Sequence, residues 1–455
     1  MWKTILRGGR MEGGISRLLN EAEKLDVLMP GKFFAYIYET GDEKLKEVAF
    51  KALLRFYDKN MLDFTVYRSA IFFERAIINF CKKLLHGEEA LGTFTYGGTE
   101  SIILAVLSAR NNFWKRKGRD NVPELVVPFT IHPSFFKAAH YLGLKVKVFD
   151  VNEKLKADVE SLKASISDHT ALIALSAPNW PYGTIDPVRE IAEIAMDKKV
   201  LLHVDACLGG LILPFFEKLG EKVELFDFRV NGVTSISADI HKYGYSPKGA
   251  SVVLFSSEEL KKDSMFVNTS NPGYVFVNTA VLSSRSVGPL AAAFAVINYL
   301  GEEGYMRLAK DVLFARERIY RGMKELGFES VAPIESSILS LYNKSVDIVS
   351  FVTTMREFGW HFHLQRGIKK YNVPPNIHLT ILPIHKKTAD EFVNDSKKAL
   401  ERKVELKMEG LSIEEIIDEV KSGRMDSSLA SLLIDLFEPE VVDEIVKNLV
   451  VEWYR

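Results

Sequence analysis

The sequence predicts an α/β protein in which a mostly parallel sheet is covered by helices on both faces. Short apolar runs rich in β-branched residues recur through the middle third of the chain, as buried parallel strands require. Between several of them lie amphipathic stretches whose apolar residues repeat at helical spacing, such as residues 187–196. This alternation of strands and helices is typical of a parallel sheet in an α/β fold.

The predicted strands are the runs 125–127, 146–151, 171–175, 200–204, 233–236 and 251–255. Before them, residues 42–85 have the apolar spacing of helices, and a long helical zone begins at residue 287. A smaller mixed segment follows to about residue 400, and the remaining residues predict three short amphipathic helices. We therefore expect an N-terminal segment 1–60, a large domain 61–290, a small C-terminal domain 291–400 and additional C-terminal helices in 401–455, which would form a surface cap or subunit contact.

Composition excludes several classes of protein. The 455 residues include 59 Lys and Arg against 60 Asp and Glu, so the net charge of −1 gives no field that would attract nucleic acid. The hydrophobic content of 47% and the charged content of 26% are ordinary for a globular protein.

No apolar run approaches the roughly 18 residues that span a bilayer, and the first residues do not resemble a signal peptide. We expect a cytoplasmic protein, and the two cysteines, Cys81 and Cys207, are too few for a disulfide framework.

Lys242 is the first candidate functional residue. It lies in the stretch Ser-Ala-Asp-Ile-His-Lys, soon after a predicted strand. Open α/β sheets bind their ligands in the loops at the carboxyl ends of strands. A lone lysine at such a position would more often extend into solvent, so its interpretation depends on the other motifs.

Asp205 directly follows the predicted strand 200–204. A carboxylate beside a buried strand is costly unless it pairs with a cation or coordinates a metal. A pyridinium nitrogen would be a suitable cation. A metal bound by His203 and Asp205 is the alternative, since both side chains lie on one face of the strand, but the sequence offers no evident third ligand and we predict no metal site.

Two further motifs complete the set. Gly97, Gly98 and Thr99 open an apolar helix, whose free amide groups would bind an anion such as phosphate; a simple helix entry capped by Thr99 is the alternative. His132 follows one strand later and could stack on an aromatic cofactor, or be a cap or core residue. Together with Asp205 and Lys242 they supply an anion cradle, a ring stacker, a pyridinium partner and a Schiff-base lysine. That combination predicts a pyridoxal-phosphate site.

The motifs GTFTYGGTESI, LHVDACLGG and SISADIHKYGYSPKGASVVL resemble those of pyridoxal-phosphate enzymes of fold type I. The similarity is to the group II decarboxylase superfamily, specifically its sphingosine-1-phosphate lyase branch, and runs from about residue 31 to residue 398. It implies a large domain with a mostly parallel seven-stranded sheet, a smaller α/β C-terminal domain and pyridoxal 5'-phosphate as cofactor. The site residues that it implies are Lys242 as the Schiff-base lysine, Asp205 as the pyridinium partner, His132 as the stacking residue, and Gly97, Gly98, Thr99 and His241 around the phosphate.

The resemblance also implies a homodimer with shared active sites. The stretch Ser283-Ser284-Arg285 is similar to the family's Gly-Ser-Arg, which would bring Ser284 to the cofactor phosphate of the partner subunit.

Tyr38, Asn60 and Lys248 match the lyase residues that surround the substrate's phosphate. However, the family's Asn-Pro-Leu-His reads Asn-Met-Leu-Asp here, and the aspartate, Asp63, would repel a phosphate. The expected substrate is therefore a small-molecule amine, either phosphorylated or not.

The expected reaction is retro-aldol cleavage of a β-hydroxy amine by an aldehyde-lyase. The alternative is a group II L-amino-acid decarboxylase, which would use a cation, usually a late arginine, to bind the α-carboxylate. Residues 374–380 contain no arginine, although Arg366 could serve. A non-enzymatic relative is disfavoured because all four motifs are intact, and a nicotinamide dehydrogenase because no Gly-x-Gly-x-x-Gly follows a strand.

Overall fold

The computed structural model describes residues 12–26, 30–402 and 439–453. The chain begins with the helices α1 (Glu12–Glu23), α2 (Glu43–Phe56) and α3 (Arg68–Leu84). Asp42 caps α2, since its side chain accepts a hydrogen bond from the Leu45 amide at 3.1 Å. The helical spacing of residues 42–85 thus corresponds to two helices.

The central part of the chain alternates strands and helices. In order, they are β1 (Leu91–Thr95), α4 (Gly98–Lys117), β2 (Glu124–Pro128), α5 (Ser134–Leu142), β3 (Lys145–Phe149), α6 (Val159–Ser165), β4 (Thr170–Ser176), α7 (Val188–Asp197), β5 (Leu201–Asp205), α8 (Leu213–Lys218), β6 (Ser235–Ala238) and β7 (Ser251–Phe255). The strands form one seven-stranded sheet in the order β1-β7-β6-β5-β4-β2-β3. Pairing is parallel from β3 to β6, and β7 is antiparallel to both of its neighbours. The predicted α/β class with a mostly parallel sheet is confirmed.

The strand β1 has no counterpart among the predicted strands. Its sequence, Leu-Gly-Thr-Phe-Thr, is not a continuous apolar run, yet Thr93, Phe94 and Thr95 are fully buried. Gly92 allows the close packing of this strand, because a Cβ atom there would lie 2.6 Å from Ile78 Cδ1 and 2.7 Å from Leu254 Cδ2. The carboxyl end of β1 lies at the same edge as those of β2, β4, β5 and β6, where ligands of such sheets bind.

The rest of the described chain contains further helices, a four-stranded sheet and a two-stranded sheet. Its elements are α9 (Glu258–Asp263), β8 (Phe266–Asn268), β9 (Phe276–Asn278), α10 (Gly288–Glu325), β10 (Glu329–Ser330), β11 (Ile338–Tyr342), α11 (Ile348–Glu357), β12 (His363–Gln365), a 3₁₀ turn (Lys369–Tyr371), β13 (Asn376–Thr380), α12 (His385–Glu401) and α13 (Pro439–Trp453). The order β10-β11-β13-β12 gives an antiparallel four-stranded sheet, and β8 pairs with β9. The long helix α10 is broken at Gly301, whose φ of 54° lies outside the helical region.

The stretch after α1 is hydrogen-bonded to this smaller sheet. The Phe34 amide donates to the His361 carbonyl at 2.8 Å, and the Thr380 amide donates to the Phe34 carbonyl at 2.9 Å. Phe34 itself is fully buried. These contacts carry the following residues, including Tyr38, toward the sheet edge where the strands end.

The last of the three predicted C-terminal helices corresponds to α13, while the other two, in residues 403–438, lie outside the described residues. Within the described part of the chain, no helix has the length and apolar character needed to cross a membrane.

Candidate active site

A cavity of about 400 Å³ opens at the carboxyl edge of the seven-stranded sheet. The sequence-predicted residues that line it are Gly97, Gly98, Thr99, His132, Asp205, His241 and Lys242. They come from loops that follow β1, β2, β5 and β6. The sheet therefore brings together residues that are up to 145 positions apart in the chain (242 − 97).

The N-terminus of α4 forms one wall of the cavity. Amides in the first turn of a helix have no helical acceptor and attract anions. Gly98 fits this wall because a Cβ atom there would lie 2.7 Å from Cys207 Sγ and 2.9 Å from Asp239 Oδ1. The helix cap is Gly97 rather than Thr99, whose hydroxyl instead lies 2.8 Å from that of Ser134 and joins the first turns of α4 and α5.

Asp205 ends β5 and is 7% exposed. Its Oδ1 accepts hydrogen bonds from the Cys207 amide at 3.0 Å and from the Ser237 hydroxyl at 3.1 Å. These two donors come from the next turn and from the neighbouring strand β6. They fix the carboxylate in the cavity wall, where it can face a cationic group.

His203 does not join Asp205 in the cavity. Its Nδ1 lies 2.9 Å from the Ser235 hydroxyl, and its Nε2 lies 3.2 Å from the Ser237 hydroxyl. Burial lowers the pKa of His203 to about 4. In the described ranges no group of three or more His, Cys, Asp or Glu side chains could hold a metal ion.

His132 lies just before α5, and its Nδ1 accepts a hydrogen bond from the Ser134 amide at 3.2 Å. Burial lowers the pKa of His132, and the charge of Lys242 adds to this effect against the opposing charge of Asp205. The ring is therefore neutral near pH 7, which suits packing against a flat aromatic group.

Lys242 pairs with a carboxylate that the sequence interpretation left without a role. Its Nζ lies 3.0 Å from Asp239 Oδ2, and His241 Nε2 lies 3.4 Å from the same oxygen. Burial, the largest single effect, would lower the pKa of Lys242, but the nearby acidic groups, Asp239 first among them, together outweigh burial and raise the pKa. Asp239 was available in the motif that carries Lys242, since it stands three residues earlier.

Tyr38 and Lys248 lie together but do not line the cavity. Lys248 Nζ is 5.0 Å from the ring centroid of Tyr38, which packs edge-on against Tyr243 at 5.2 Å. Burial, together with the charge of Lys242, lowers the pKa of Lys248 to about 8. Burial raises the pKa of Tyr38 to about 12, although the charge of Lys242 opposes this. Both groups are thus within electrostatic range of Lys242.

Asn60 and Ser284 lie elsewhere, outside the residues that line the cavity. The Asn60 side chain donates to the Ser284 hydroxyl at 3.3 Å and accepts from the Arg285 amide at 3.2 Å. Ser284 is exposed. The nearby Asp63 is also exposed, and its Oδ1 accepts from the amide and hydroxyl of Thr65 at 2.9 and 2.6 Å.

Trp180 is a cavity residue that sequence reasoning missed, as it did Tyr96, Cys207 and Asp239. Its indole stacks on the buried ring of His378, with centroids 4.5 Å apart. Burial lowers the pKa of His378 to about 3, so its ring is neutral. The position of Trp180, five residues after the predicted strand 171–175, was the available signal.

Comparison with known proteins is consistent with this site. Residues 32–329 match the family described as the pyridoxal-dependent decarboxylase conserved domain. The chain is 34% identical over 413 residues to the sphingosine-1-phosphate lyase of Oryza sativa subsp. japonica. This alignment covers 88% of this chain and 75% of the relative. It is 31% identical over 328 residues to a probable L-tyrosine/L-aspartate decarboxylase of Methanothermobacter thermautotrophicus, covering 72% of this chain and 87% of that one. The solved sphingosine-1-phosphate lyase of Burkholderia pseudomallei superposes with a TM-score of 0.81 at 31% identity, over 87% of this chain and 91% of that one.

Proposed function

The chain belongs to the pyridoxal-dependent decarboxylase family and is a pyridoxal-phosphate-dependent lyase, and we propose that it cleaves a β-hydroxy amine to an aldehyde. The observation that carries the proposal is the convergence of Lys242, Asp205, His132 and the N-terminus of α4 on one cavity. We assign to these residues the roles that their chemistry allows.

The residues present fit pyridoxal phosphate. Helix amides at Gly98 and the ring of His241 would hold a phosphate at one wall, and the amine of Lys242 would bond to an aldehyde. The fixed carboxylate of Asp205 would face the ring nitrogen. Once bound, the cofactor supplies an electron sink for the bond that breaks at the amine-bearing carbon.

Each side chain then has a separate task. Asp205 would keep a proton on the ring nitrogen, because a neighbouring carboxylate favours the charged form of a basic group. His132, whose pKa is lowered by burial, would offer a neutral ring for stacking on the cofactor. Tyr38 and Lys248 lie beside Lys242, where a cationic amine and a phenol would bind the polar end of an amine substrate.

The lack of an arginine in residues 374–380 supports cleavage to an aldehyde over decarboxylation. An α-carboxylate needs a cation, and residues 374–380 offer the neutral ring of His378, which Trp180 covers. A decarboxylase is the second candidate, supported by the named activity of the Methanothermobacter relative.

We also propose a homodimer in which Ser284 reaches the partner's cavity. Ser284 and Asn60 lie outside the cavity of their own chain, so their matches to family residues are best explained by a neighbouring subunit. Large apolar side chains near them, including Phe64, Val66 and Leu282, are exposed, as in a surface that a partner covers. The cytoplasmic location stays a prediction.

The proposal is tested with purified protein supplied with pyridoxal phosphate. It should be yellow, and borohydride should bleach it and attach the cofactor to Lys242, as identified by peptide mass spectrometry. The variant Lys242→Ala should lose this labelling; labelling of another lysine would overturn the assignment.

The reaction is tested with a panel of β-hydroxy amines, with and without phosphate, beside aromatic and acidic amino acids. We expect aldehyde from the β-hydroxy amines. Release of carbon dioxide from the amino acids, with no aldehyde, would establish the second candidate instead.

A further inference from the structure

A chain of buried hydroxyl groups ends at the carboxylate of Asp239. Thr95 Oγ1 lies 2.6 Å from Ser101 Oγ, which lies 3.0 Å from Ser251 Oγ. The Ser251 hydroxyl donates to Asp239 Oδ1 at 2.5 Å. The three hydroxyl-bearing residues are fully buried, and they come from β1, α4 and β7. Three secondary-structure elements thus fix one carboxylate oxygen.

The other oxygen of Asp239 faces the cavity. Lys242 Nζ lies 3.0 Å from Oδ2, and His241 Nε2 lies 3.4 Å from it. The Asp239 side chain is 2% exposed, so burial would raise its pKa, but the charges of Lys242 and His241 and the hydrogen bond from Ser251 keep the pKa below its usual value. The ion pair is therefore formed between a fixed anion and a flexible amine.

We propose that Asp239 is a positioning residue that holds Lys242 as a protonated amine in the cofactor-free protein and must release it when the cofactor is bound. This inference rests on the proposed function, since it concerns the lysine that we assign to the cofactor. An amine attacks an aldehyde carbon only through its free electron pair. The proton of the ion pair must therefore pass to solvent first. The nitrogen would then form a double bond to the aldehyde carbon, and the aldehyde oxygen would leave as water with the two hydrogens that remained on the nitrogen.

The geometry explains why a carboxylate is tolerated beside an anion-binding helix. One oxygen of Asp239 accepts a hydrogen bond from Ser251, and the other pairs with the ammonium group of Lys242 on the cavity side. The negative charge of Asp239 is therefore balanced before any anion binds. The titratable groups around Lys242 are Asp239, His241, Cys207, Tyr38, Asp205, His132 and Lys248. Of these, Asp239 is the carboxylate within 4.0 Å of the amine in the described structure.

The test measures protonation of Lys242 directly in the full-length chain freed of cofactor. Trace acetylation with acetic anhydride modifies only unprotonated amines, so its pH dependence reports the protonation midpoint of each lysine. Peptide mass spectrometry would give the midpoint for Lys242, with a free lysine derivative of pKa about 10.4 as internal standard. In the native chain we expect the Lys242 midpoint above that of the standard.

Asp239→Asn should move the midpoint below that of the standard, because burial, the largest effect on Lys242, is then opposed by Asp205 but no longer by a carboxylate at 3.0 Å. At pH 8 the labelling of Lys242 should rise by more than about tenfold, the change that one pKa unit produces. A variant that unfolds would instead give the same midpoint as the standard, so loss of structure is distinguished from loss of the ion pair. A midpoint that stays above the standard in Asp239→Asn would overturn the proposal.

Two matched variants sharpen the result. Ser251→Ala removes the hydrogen bond to Asp239 but keeps its charge, and the midpoint should remain above the standard. Asp205→Asn removes a carboxylate from the same cavity without touching the ion pair, and should shift the midpoint less than Asp239→Asn does. Equal shifts in Asp205→Asn and Asp239→Asn would refute a specific role for Asp239. Because acetylation needs no cofactor, its outcome is independent of the borohydride test of the proposed function.

Discussion

The imidazole of His385 donates from Nε2 to the carbonyl of Phe33, 352 residues away, at 2.9 Å. Its Nδ1 accepts from the Leu382 amide at 3.0 Å, which requires the neutral ring. Burial accordingly lowers the pKa of His385 to about 3. His378, with a pKa of about 3, and His203, with a pKa of about 4, are neutral for the same reason.

These three histidines predict a loss of stability in acid. Below about pH 6.5 the unfolded chain binds protons that the native protein does not, so their contribution is complete above that pH and falls toward pH 3–4. Each of these histidines lowers the free energy of unfolding by about 1.4 kcal/mol for every pH unit in that range as the pH falls. Asp186, whose pKa burial raises to about 6, acts in the opposite direction between about pH 6 and 4. Urea unfolding at a series of pH values should therefore show a free energy of unfolding that falls as the pH drops from about 6.5 toward 4.

His385→Gln isolates one of these groups. The variant should be less stable at pH 7, yet its free energy of unfolding should fall less steeply between pH 6 and 4, by about one proton. An unchanged slope would contradict a neutral His385 in the native protein.

Gly98→Ala should disturb the cavity, whereas Gly97→Ala should not. A Cβ atom at Gly98 would collide with Cys207 Sγ at 2.7 Å, while at Gly97 the nearest atom is His241 Cε1 at 3.9 Å. We expect Gly98→Ala to lower the melting temperature of the cofactor-free protein and to weaken pyridoxal-phosphate binding at least about tenfold, a cost of about 1.4 kcal/mol. Equal melting temperatures for the two variants would contradict this prediction, because they would show that the cavity wall can shift to accommodate a methyl group at position 98.

The side chain of Asp63 should first of all stabilise the turn that it forms with Thr65 and Val66. Its Oδ1 accepts hydrogen bonds from Thr65 and Val66, and the Thr65 hydroxyl holds the pKa of Asp63 below its usual value. Asp63→Asn keeps an acceptor at this point and removes the charge, whereas Asp63→His removes the acceptor geometry as well. We expect only Asp63→His to lower the melting temperature. If Asp63 repels the phosphate of a substrate, Asp63→Asn should also improve binding of phosphorylated amines, measured as KM; an unchanged KM would argue against that role.

The shared site can be tested by subunit mixing. Lys242→Ala and a bulky variant, Ser284→Trp, should each be inactive as homodimers. After unfolding and refolding together, half of the dimers are mixed, and each mixed dimer has one site with both native residues. About a quarter of the native activity should return, as expected for random pairing in a two-fold dimer. No recovery, with mixed dimers demonstrated by mass spectrometry, would place Ser284 outside the partner's cavity.

The sequence predicted the strands of the sheet interior because buried parallel strands are continuously apolar. It missed β1 since Gly92 and the threonines of this strand interrupt the apolar pattern, and their burial depends on packing against Ile78 and Leu254.

The candidate site was predictable wherever a residue stands directly after a predicted strand, as Asp205 does after the run 200–204. The pairing of Asp239 with Lys242 could not be inferred from spacing alone, because it depends on the turn that brings residues three positions apart face to face. Trp180 was missed for a similar reason. Its contact with His378 joins two residues that are 198 positions apart in the chain (378 − 180).

The pairing of Phe34 with His361 and Thr380 has a consequence for biosynthesis. A ribosome makes the amino end first, so Phe34 emerges more than 300 residues before its partners exist (361 − 34 = 327). Until translation passes Thr380, this apolar ring has no native neighbour there, and Tyr38 has no fixed place. The native placement of this segment therefore waits until translation has passed Thr380, when long-range pairing becomes possible, and until then the nascent chain needs protection from aggregation.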